Sequence, residues 1–491
     1  MSLKIQVVSN EKFHPVQGMI AFIMQNEKLM GGAAYLKAQP DFTVARKQFE
    51  DRPQNEIAVW SDWAKHSVEG VFYADTQVKH LDRLDTLRVI GARAARHAAK
   101  SGHDRLAIAL DQAKTEEILA VIQGAQIADY SFKKYKTSAK PEKKLSITVS
   151  AGSKILKSTS AALKESAAVA AGVNFARDLV NEVPAALYPA ELARIAKKQC
   201  EAAGVKVTVL DEKQLAKANF NGILTVGKGS NRPPRLIVLK APAPAKSPVH
   251  LCLVGKAVTF DTGGHCLKPG KSMWEMKGDM AGGAAVLGAM KVLGTLRPDI
   301  QVTGIVASAL NAIGPDAVLP GDIIRSRSGK TVHVDNTDAE GRLLLMDALD
   351  YAQEIGATHI VDVATLTGSI VRALGESLAG LFANDDKFSD KLISAGNAVG
   401  EGFWRMPLVR EYRDQLDHTV ADIDNMGKGV NAGAIVAALF LQEFVDDSIK
   451  WAHLDIAGCG LYTRSIKYHS PGATGFGVKT LVELARKLPP A

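Results

Sequence analysis

From about residue 184 onward, short apolar runs alternate with stretches that read as helix, and few folds accept that pattern. Strand candidates lie at residues 205–209, 236–240, 251–260, 302–307, 359–363 and 378–383. Helix candidates lie at 189–203, 281–293, 343–355 and 432–444. Strands that alternate with helices are joined by crossovers, which implies a central, largely parallel sheet with helices on both faces. In such a sheet ligands bind beyond the carboxyl ends of the strands, so charged residues at those ends carry the most information about function.

The 491 residues exceed one ordinary core, and domains of about 100–200 residues imply two or three. Residues 1–150 also mix short apolar runs (5–8, 19–24, 57–60, 70–73) with helical stretches (81–100, 114–124), an α/β pattern in shorter pieces. An Ala-rich stretch from about 160 to 181 stops before Pro184; as a helix at 1.5 Å per residue it would span about 33 Å, enough to link two domains. Residues 241–248 form a Pro-rich connector between two strands.

Composition is ordinary for a globular chain, and no run approaches the roughly 18 apolar residues of a membrane span. The N-terminus alternates like a strand and has no signal-peptide stretch. Cys200, Cys252, Cys266 and Cys459 are scattered without metal-finger or disulfide spacing, so a reducing, cytoplasmic location is expected. The net charge of +8 resides almost wholly in residues 1–160, which carry 24 Lys/Arg against 17 Asp/Glu. Lys133, Lys134, Lys136, Lys140, Lys143 and Lys144 supply part of it; a solvated loop accounts for them more simply than a nucleic-acid surface. The run Gly222–Lys228 has the GxxxxGK spacing of a phosphate loop, but Gly229 replaces the required hydroxyl and Pro233 and Pro234 preclude the following helix.

The chemistry gathers at two places. Asn336-Thr337-Asp338-Ala339-Glu340-Gly341-Arg342 carries charges at every second position, and in an extended segment these would face one point before a helix starting near Leu343. Upstream, Lys256 and Asp261 fall where an apolar strand should leave the sheet, Lys268 follows, and Asp279 precedes the small residues 281–285 at a helix start. If Asp261, Asp279, Asp338 and Glu340 converge, like charges must be compensated, and two divalent cations sharing a water would do so. Carboxylates suit Mg2+ or Mn2+; a neutral Lys256 amine as an added nitrogen ligand also suits Zn2+ or Co2+. Lys268 and Arg342 would remain cationic, suited to an oxyanion or a small anion.

These residues, in the frame GKxxTFDTGG…LKP…MKGDMAGGAA followed by NTDAEGRL, resemble the leucyl aminopeptidase family of two-metal peptidases. Similarity continues in Ala176-Arg177-Asp178-Leu179-Val180-Asn181, in Ala364-Thr365-Leu366-Thr367-Gly368 and in His453-Leu454-Asp455-Ile456-Ala457-Gly458. The resemblance implies an N-terminal α/β (macro-like) domain (1–158), a linking helix (159–182) and a larger catalytic α/β domain (183–491) with a central mixed, largely parallel sheet. It implies that Lys256, Asp261, Asp279 and Glu340 hold a tighter metal, and Asp261, Asp338 and Glu340 an exchangeable one. By the same resemblance Lys268 polarises the scissile carbonyl, Arg342 binds a bicarbonate general base, and Met276, Thr365, Gly368 and Ala457 line the pocket for the first side chain. The implied activity is removal of N-terminal, leucine-type residues from short peptides by a cytoplasmic homohexamer, a dimer of trimers, using Mn2+ or Zn2+. A narrower cysteinyl-glycine-type dipeptidase and a DNA-binding protein are the alternatives. The chain departs from the family pattern at Ala257, His265, Gly460 and Phe476-Gly477, positions that bear on side-chain preference or the rim.

Overall fold

The structure, a computed structural model, describes residues 3–13, 18–25, 28–32, 58–63, 68–74, 82–137, 145–243, 247–429 and 431–489. Ile57, Lys140, Lys143 and Lys144 lie outside them. The chain divides into two compact units, Met1–Ala170 with Ser465–Ser470, and Ala171–Arg464 with Pro471–Ala491. The first contains strands β1 (Lys4–Ser9), β2 (Gly18–Gln25), β3 (Lys28–Leu29), β4 (Ala58–Trp63) and β5 (Val68–Ala74). Helix α1 (Arg83–Lys100), β6 (Arg105–Ala109), α2 (Thr115–Ala128) and β7 (Ser146–Ala151) follow. The sheet order is β1-β7-β6-β2-β5-β4, with β3 beside β2, and only β3 and β4 run antiparallel to their neighbours. Helix α3 (Leu156–Asn181) begins four residues before the Ala-rich stretch does.

The second unit opens with α4 (Pro189–Glu201), β8 (Lys206–Leu210), α5 (Glu212–Lys217), α6 (Asn221–Gly227) and β9 (Arg235–Lys240). Residues 222–227 are helical, so the GxxxxGK run is no phosphate loop. Next come β10 (His250–Asp261), α7 (Ala281–Leu296), β11 (Gln301–Asn311), β12 (Ile323–Arg325), β13 (Thr331–His333), α8 (Gly341–Glu354) and β14 (His359–Ala364). The unit closes with α9 (Gly368–Leu374), β15 (Leu378–Ala383), α10 (Asp386–Val399), β16 (Gly402–Arg405), β17 (Ile423–Asp424), α11 (Gly433–Gln442), β18 (Lys450–Asp455) and, after the short pair β19 (Leu461–Tyr462) and β20 (Gly472–Ala473), α12 (Val478–Lys487).

Its eight-stranded sheet runs β16-β15-β18-β14-β10-β11-β9-β8, and the four central strands β18, β14, β10 and β11 are parallel. They are buried almost throughout, which is why they read as unbroken apolar runs and not as alternating ones. From β10 the chain crosses to β11 on one side, then returns to β14 on the other. The carboxyl ends of β10 and β14 therefore flank a topological switch point, where such sheets open a crevice.

Close packing fixes the two helices that bound this crevice. On the face of β10 that carries Gly255, α7 lies so near that a Cβ on Gly282 would stand 2.0 Å from the Val363 carbonyl, and one on Gly283 2.6 Å from Ala257 Cβ. The opposite face of β10 (Cys252, Val254, Val258) packs into the apolar cluster that holds Leu343, Leu344, Met346 and Ala348 of α8. Lys256 shares the parity of that second face, so its side chain is aimed at the start of α8.

Candidate active site

Each charged residue arrives from the end of an element. Five positions separate Lys256 from Asp261, and an odd offset puts side chains on opposite faces of a regular strand. An extra residue in β10, marked by the register step from Val258↔Ala309 to Asp261↔Asn311, reverses the parity and brings Asp261 round. Asp279 ends a 3-10 turn (Gly270–Gly278) two residues before α7. Asp338 and Glu340 lie between β13 and α8.

Here the structure corrects the extended reading of residues 336–342. The Ala339 amide donates to the Asn336 carbonyl at 3.1 Å and the Asp338 amide to Asn336 Oδ1 at 2.8 Å, so this is a turn. Glu340 already has helical backbone angles, and α8 starts at Gly341, not near Leu343. Glycine is needed at that first position: a Cβ on Gly341 would stand 2.6 Å from Lys256 Cε, so its absence lets the lysine pass under the first helical turn. Asp338 and Glu340 still meet Asp261, each offering an oxygen within 4.8 Å of the others.

Two ammonium groups thread this cluster. Lys256 Nζ is 2.8 Å from Asp279 Oδ1 and 2.8 Å from Glu340 Oε1, and it donates to the Thr365 carbonyl at 3.0 Å. Lys268 Nζ is 2.8 Å from Asp261 Oδ2 and pairs with Asp338 Oδ1. Asp261 Oδ1 accepts from the Gly263 amide and from Asn311 Nδ2, both at 2.8 Å, and the Thr365 hydroxyl donates to Asp279 Oδ1 at 2.8 Å. Lys256, Asp261, Asp279 and Glu340 are buried, whereas the Asp338 side chain is one-third exposed.

Burial opposes the charge on Lys256, but Asp279, Glu340 and Asp261 outweigh it and hold its pKa above the usual value. Lys268 is raised in the same way, burial being overcome chiefly by Asp261. Burial, with Glu340 and Asp261 adding to it, lifts Asp279 well above the carboxylate range although Lys256 pulls it back. Asp338 is pushed up to about 6, first by burial and then by Asp261 and Glu340 against the pull of Lys268.

The donor set fits divalent cations. Four carboxylates against two ammoniums leave the cluster negative, and buried Asp279 Oδ2 has no hydrogen-bond partner. Glu340 Oε1 and Asp338 Oδ1 are likewise without a hydrogen bond of good geometry, their lysine neighbours notwithstanding. Buried unsatisfied carboxylate oxygens are costly, and converging ones are what a hard cation binds. Arg342 is the second residue of α8; Nη1 donates to the Asn425 carbonyl at 2.6 Å, while Nε is buried without a partner. Burial lowers the guanidinium to about 10, opposed by Glu340, Asp455 and Asp424, so it stays charged at neutral pH.

Of the expected pocket residues, Thr365 joins the site through its hydroxyl and carbonyl. Met276 touches it through its carbonyl, which accepts from the Asp279 amide at 3.2 Å. Buried Asp455 ties Ala457 to the loop after β14: it accepts from the Ala457 amide at 3.2 Å, the Leu366 amide at 3.0 Å and the Thr367 hydroxyl at 2.7 Å. Gly368 opens α9. His265 is exposed and joins no metal-capable group among the described residues. Sequence reading missed Asn311, Thr337 and Asn425. Asn311 gave the same signal as Asp261, a polar residue closing an apolar strand; Asn425 gave none.

A second group, His333, His418 and Asp424, also converges. One nitrogen of each ring is engaged: His333 Nδ1 bonds Asp424 Oδ2 at 3.0 Å, and His418 Nδ1 accepts from the Val420 and Ala421 amides, each at 3.2 Å. The rings stack at 4.0 Å, and the group reads as packing behind β17.

The carboxylate–lysine cage at the switch point of this covered parallel sheet has the donor set of a divalent-cation site. Residues 174–482 match the cytosol aminopeptidase family, catalytic domain, and the chain belongs to that family of metal-dependent aminopeptidases. A probable cytosol aminopeptidase of Roseiflexus castenholzii is 41% identical over 411 residues, 82% of this chain and 84% of the relative. Among solved structures, a tomato leucine aminopeptidase variant superposes with a TM-score of 0.86 at 30% identity, covering 99% of this chain and 97% of the other. The bottromycin maturation enzyme BotP in complex with Mn superposes with a TM-score of 0.81 at 30% identity, covering 95% and 98%. Among the described residues, no helix is long and apolar enough to cross a membrane.

Proposed function

We propose that this aminopeptidase releases leucine-type N-terminal residues from short peptides, with Lys256, Asp261, Asp279 and Glu340 holding one divalent cation and Asp261, Asp338 and Glu340 a second. The observation that carries this is the meeting of Asp261, Asp338 and Glu340 from two segments of chain, with Lys256 and Asp279 against Glu340. The greater exposure of Asp338 supports the second site as the exchangeable one. Mn2+ and Zn2+ are the candidate ions, and the Mn complex of BotP supports the first.

When bound, divalent cations there would supply Lewis-acid chemistry, making a water more acidic and the substrate carbonyl more electrophilic. The chain's own groups do the rest. Lys256 would hold a cation as its neutral amine, its proton released to solvent on binding, since metal ligands must be deprotonated. Lys268, kept cationic by Asp261 and Asp338, stands ready to stabilise the oxyanion. Arg342, charged and with Nε unengaged, would seat a bicarbonate that takes the water's proton. Met276, Thr365, Gly368 and Ala457 would receive the first side chain. The resemblance to leucyl aminopeptidases further supports a homohexamer divided into domains at 1–158, 159–182 and 183–491, and the relatives' name supports a cytosolic location.

The test is hydrolysis of leucine p-nitroanilide before and after EDTA, with Mn2+ or Zn2+ restored. Chelator-sensitive, metal-restored release of p-nitroaniline is expected; activity indifferent to chelator would sink the two-cation reading.

A further inference from the structure

The geometry points to Asn425 as the positioning residue that shapes the loop carrying Asp338, Glu340 and Arg342. It follows β17, whose register with β13 (Val332↔Ile423, His333↔Asp424) brings it alongside the start of that loop. Its backbone amide donates to the His333 carbonyl at 2.9 Å, and it is fully buried. Every hydrogen-bonding position of its side chain is used. Oδ1 accepts from the amides of Asp335 at 2.9 Å and Asn336 at 3.2 Å. Nδ2 donates to the carbonyls of Asn336 at 2.8 Å and Ala339 at 3.5 Å. The Asn425 carbonyl then accepts from Arg342 Nη1 at 2.6 Å.

These contacts bracket Asp338, reach the residue before Glu340 and hold Arg342 directly. Asn336, gripped through both its amide and its carbonyl, turns its own Oδ1 onto the Asp338 amide at 2.8 Å. Ala339 stands between Asp338 and Glu340. The order of control is thus Asn425 to the loop backbone, then Asn336 to Asp338, with Arg342 held separately. Only an amide side chain both accepts and donates in this arrangement. Aspartate has the same volume but would set a carboxylate oxygen against two carbonyls, and alanine would leave buried backbone groups unpaired.

Asn425 bonds none of the side chains assigned as cation ligands. Of the four ligands assigned to the tighter cation, Lys256, Asp261 and Asp279 lie on other segments and Glu340 alone is on this loop, whereas two of the three assigned to the exchangeable cation, Asp338 and Glu340, are on it. Loss of the clip therefore acts unevenly, loosening the exchangeable site more than the tighter one. The inference rests on the two-cation reading of the active site.

The experiment is equilibrium dialysis of the full chain against Mn2+, for wild type and Asn425→Ala, with free Mn2+ read by electron paramagnetic resonance and kcat and KM measured alongside. The weaker of two Mn2+ dissociation constants should rise about 10–100-fold, as loss of an outer-shell partner does elsewhere, while the tighter one moves less than about threefold. A folded variant with both constants unchanged overturns the inference and leaves the function reading standing. Equal weakening of both sites also overturns it, showing general damage and not positioning. If Asn425→Ala does not fold, Asn425→Asp, which keeps volume and the two acceptor contacts, must show the same uneven loss. Wild type that binds no Mn2+ and hydrolyses nothing overturns the function reading, and the inference with it.

Discussion

Replacing Gly341 with alanine should separate stability from catalysis at a single atom. Gly341 is the first residue of α8, with no positive φ to forbid a side chain, and alanine is favoured over glycine in helices by up to about 1 kcal/mol. The added Cβ, however, would lie 2.6 Å from Lys256 Cε, 2.7 Å from Nζ and 2.8 Å from Cδ. Ordinary Cβ contacts begin at 3.4 Å, so the lysine must retreat by about 0.8 Å. Its 2.8 Å contacts with Asp279 and Glu340 would then lengthen to about 3.6 Å, beyond hydrogen-bond reach. Misplacing a group in the reacting assembly by about 1 Å costs on the order of 100-fold in rate, or roughly 2.7 kcal/mol of barrier. The helix gain offsets part of the lost ion pairing, so melting should shift little while kcat/KM for leucine p-nitroanilide falls about 100-fold at saturating Mn2+. Equilibrium dialysis should show the tighter Mn2+ site weakened. A variant with kcat/KM within about twofold of wild type and both Mn2+ affinities intact would refute the placement of Lys256 as a ligand.

Two further substitutions probe other parts of the structure. Gly460→Ala would put a Cβ 2.9 Å from Ala281 Cβ and 3.3 Å from Thr365 Cγ2, pressing on the wall that Thr365 contributes. Leucine p-nitroanilide should lose about tenfold more kcat/KM than the alanine analogue, since one methylene of pocket space is worth about 1–3 kcal/mol; equal losses would remove Gly460 from the pocket. Asp347 is fully buried on α8, bonded by the amides of Gly222, Ile223 and Arg327, and burial outweighs those donors to lift its pKa to about 7. The folded state therefore binds this proton more tightly than the unfolded chain. Its stabilising contribution is full below about pH 4 and is lost as pH rises through about 7, a change on the order of a few kcal/mol. The melting difference between Asp347→Asn and wild type should move in the variant's favour from pH 5 to pH 8; a difference constant across that range would show that Asp347 does not titrate there.

The parts of this molecule that were legible in its sequence are those in which one short segment carries the whole signal. The apolar runs that became β10, β11 and β14 announce a parallel sheet because both of their faces are buried. Lys256, Asp261, Asp338 and Glu340 stood out because charge at the end of such a strand, or packed between small residues, has no structural excuse. What stayed hidden depends on two segments at once. The need for glycine at the first position of α8 is set by the side chain of Lys256, which lies 85 positions earlier, and helix propensity alone argues against a glycine there. The turn at residues 336–339 replaces an extended strand because Asn336 bonds Asp338 and is itself clamped by Asn425, 89 positions later. The parity of Asp261 is reversed by an irregularity visible only against β11. An alternating pattern therefore drew attention to the charges at residues 338, 340 and 342 through a conformation the chain does not adopt, and two of them, Asp338 and Glu340, meet Asp261. Convergence at the active site comes from packing against distant residues, and that is why Asn425, alone among the groups that shape the cage, left no mark in its own neighbourhood.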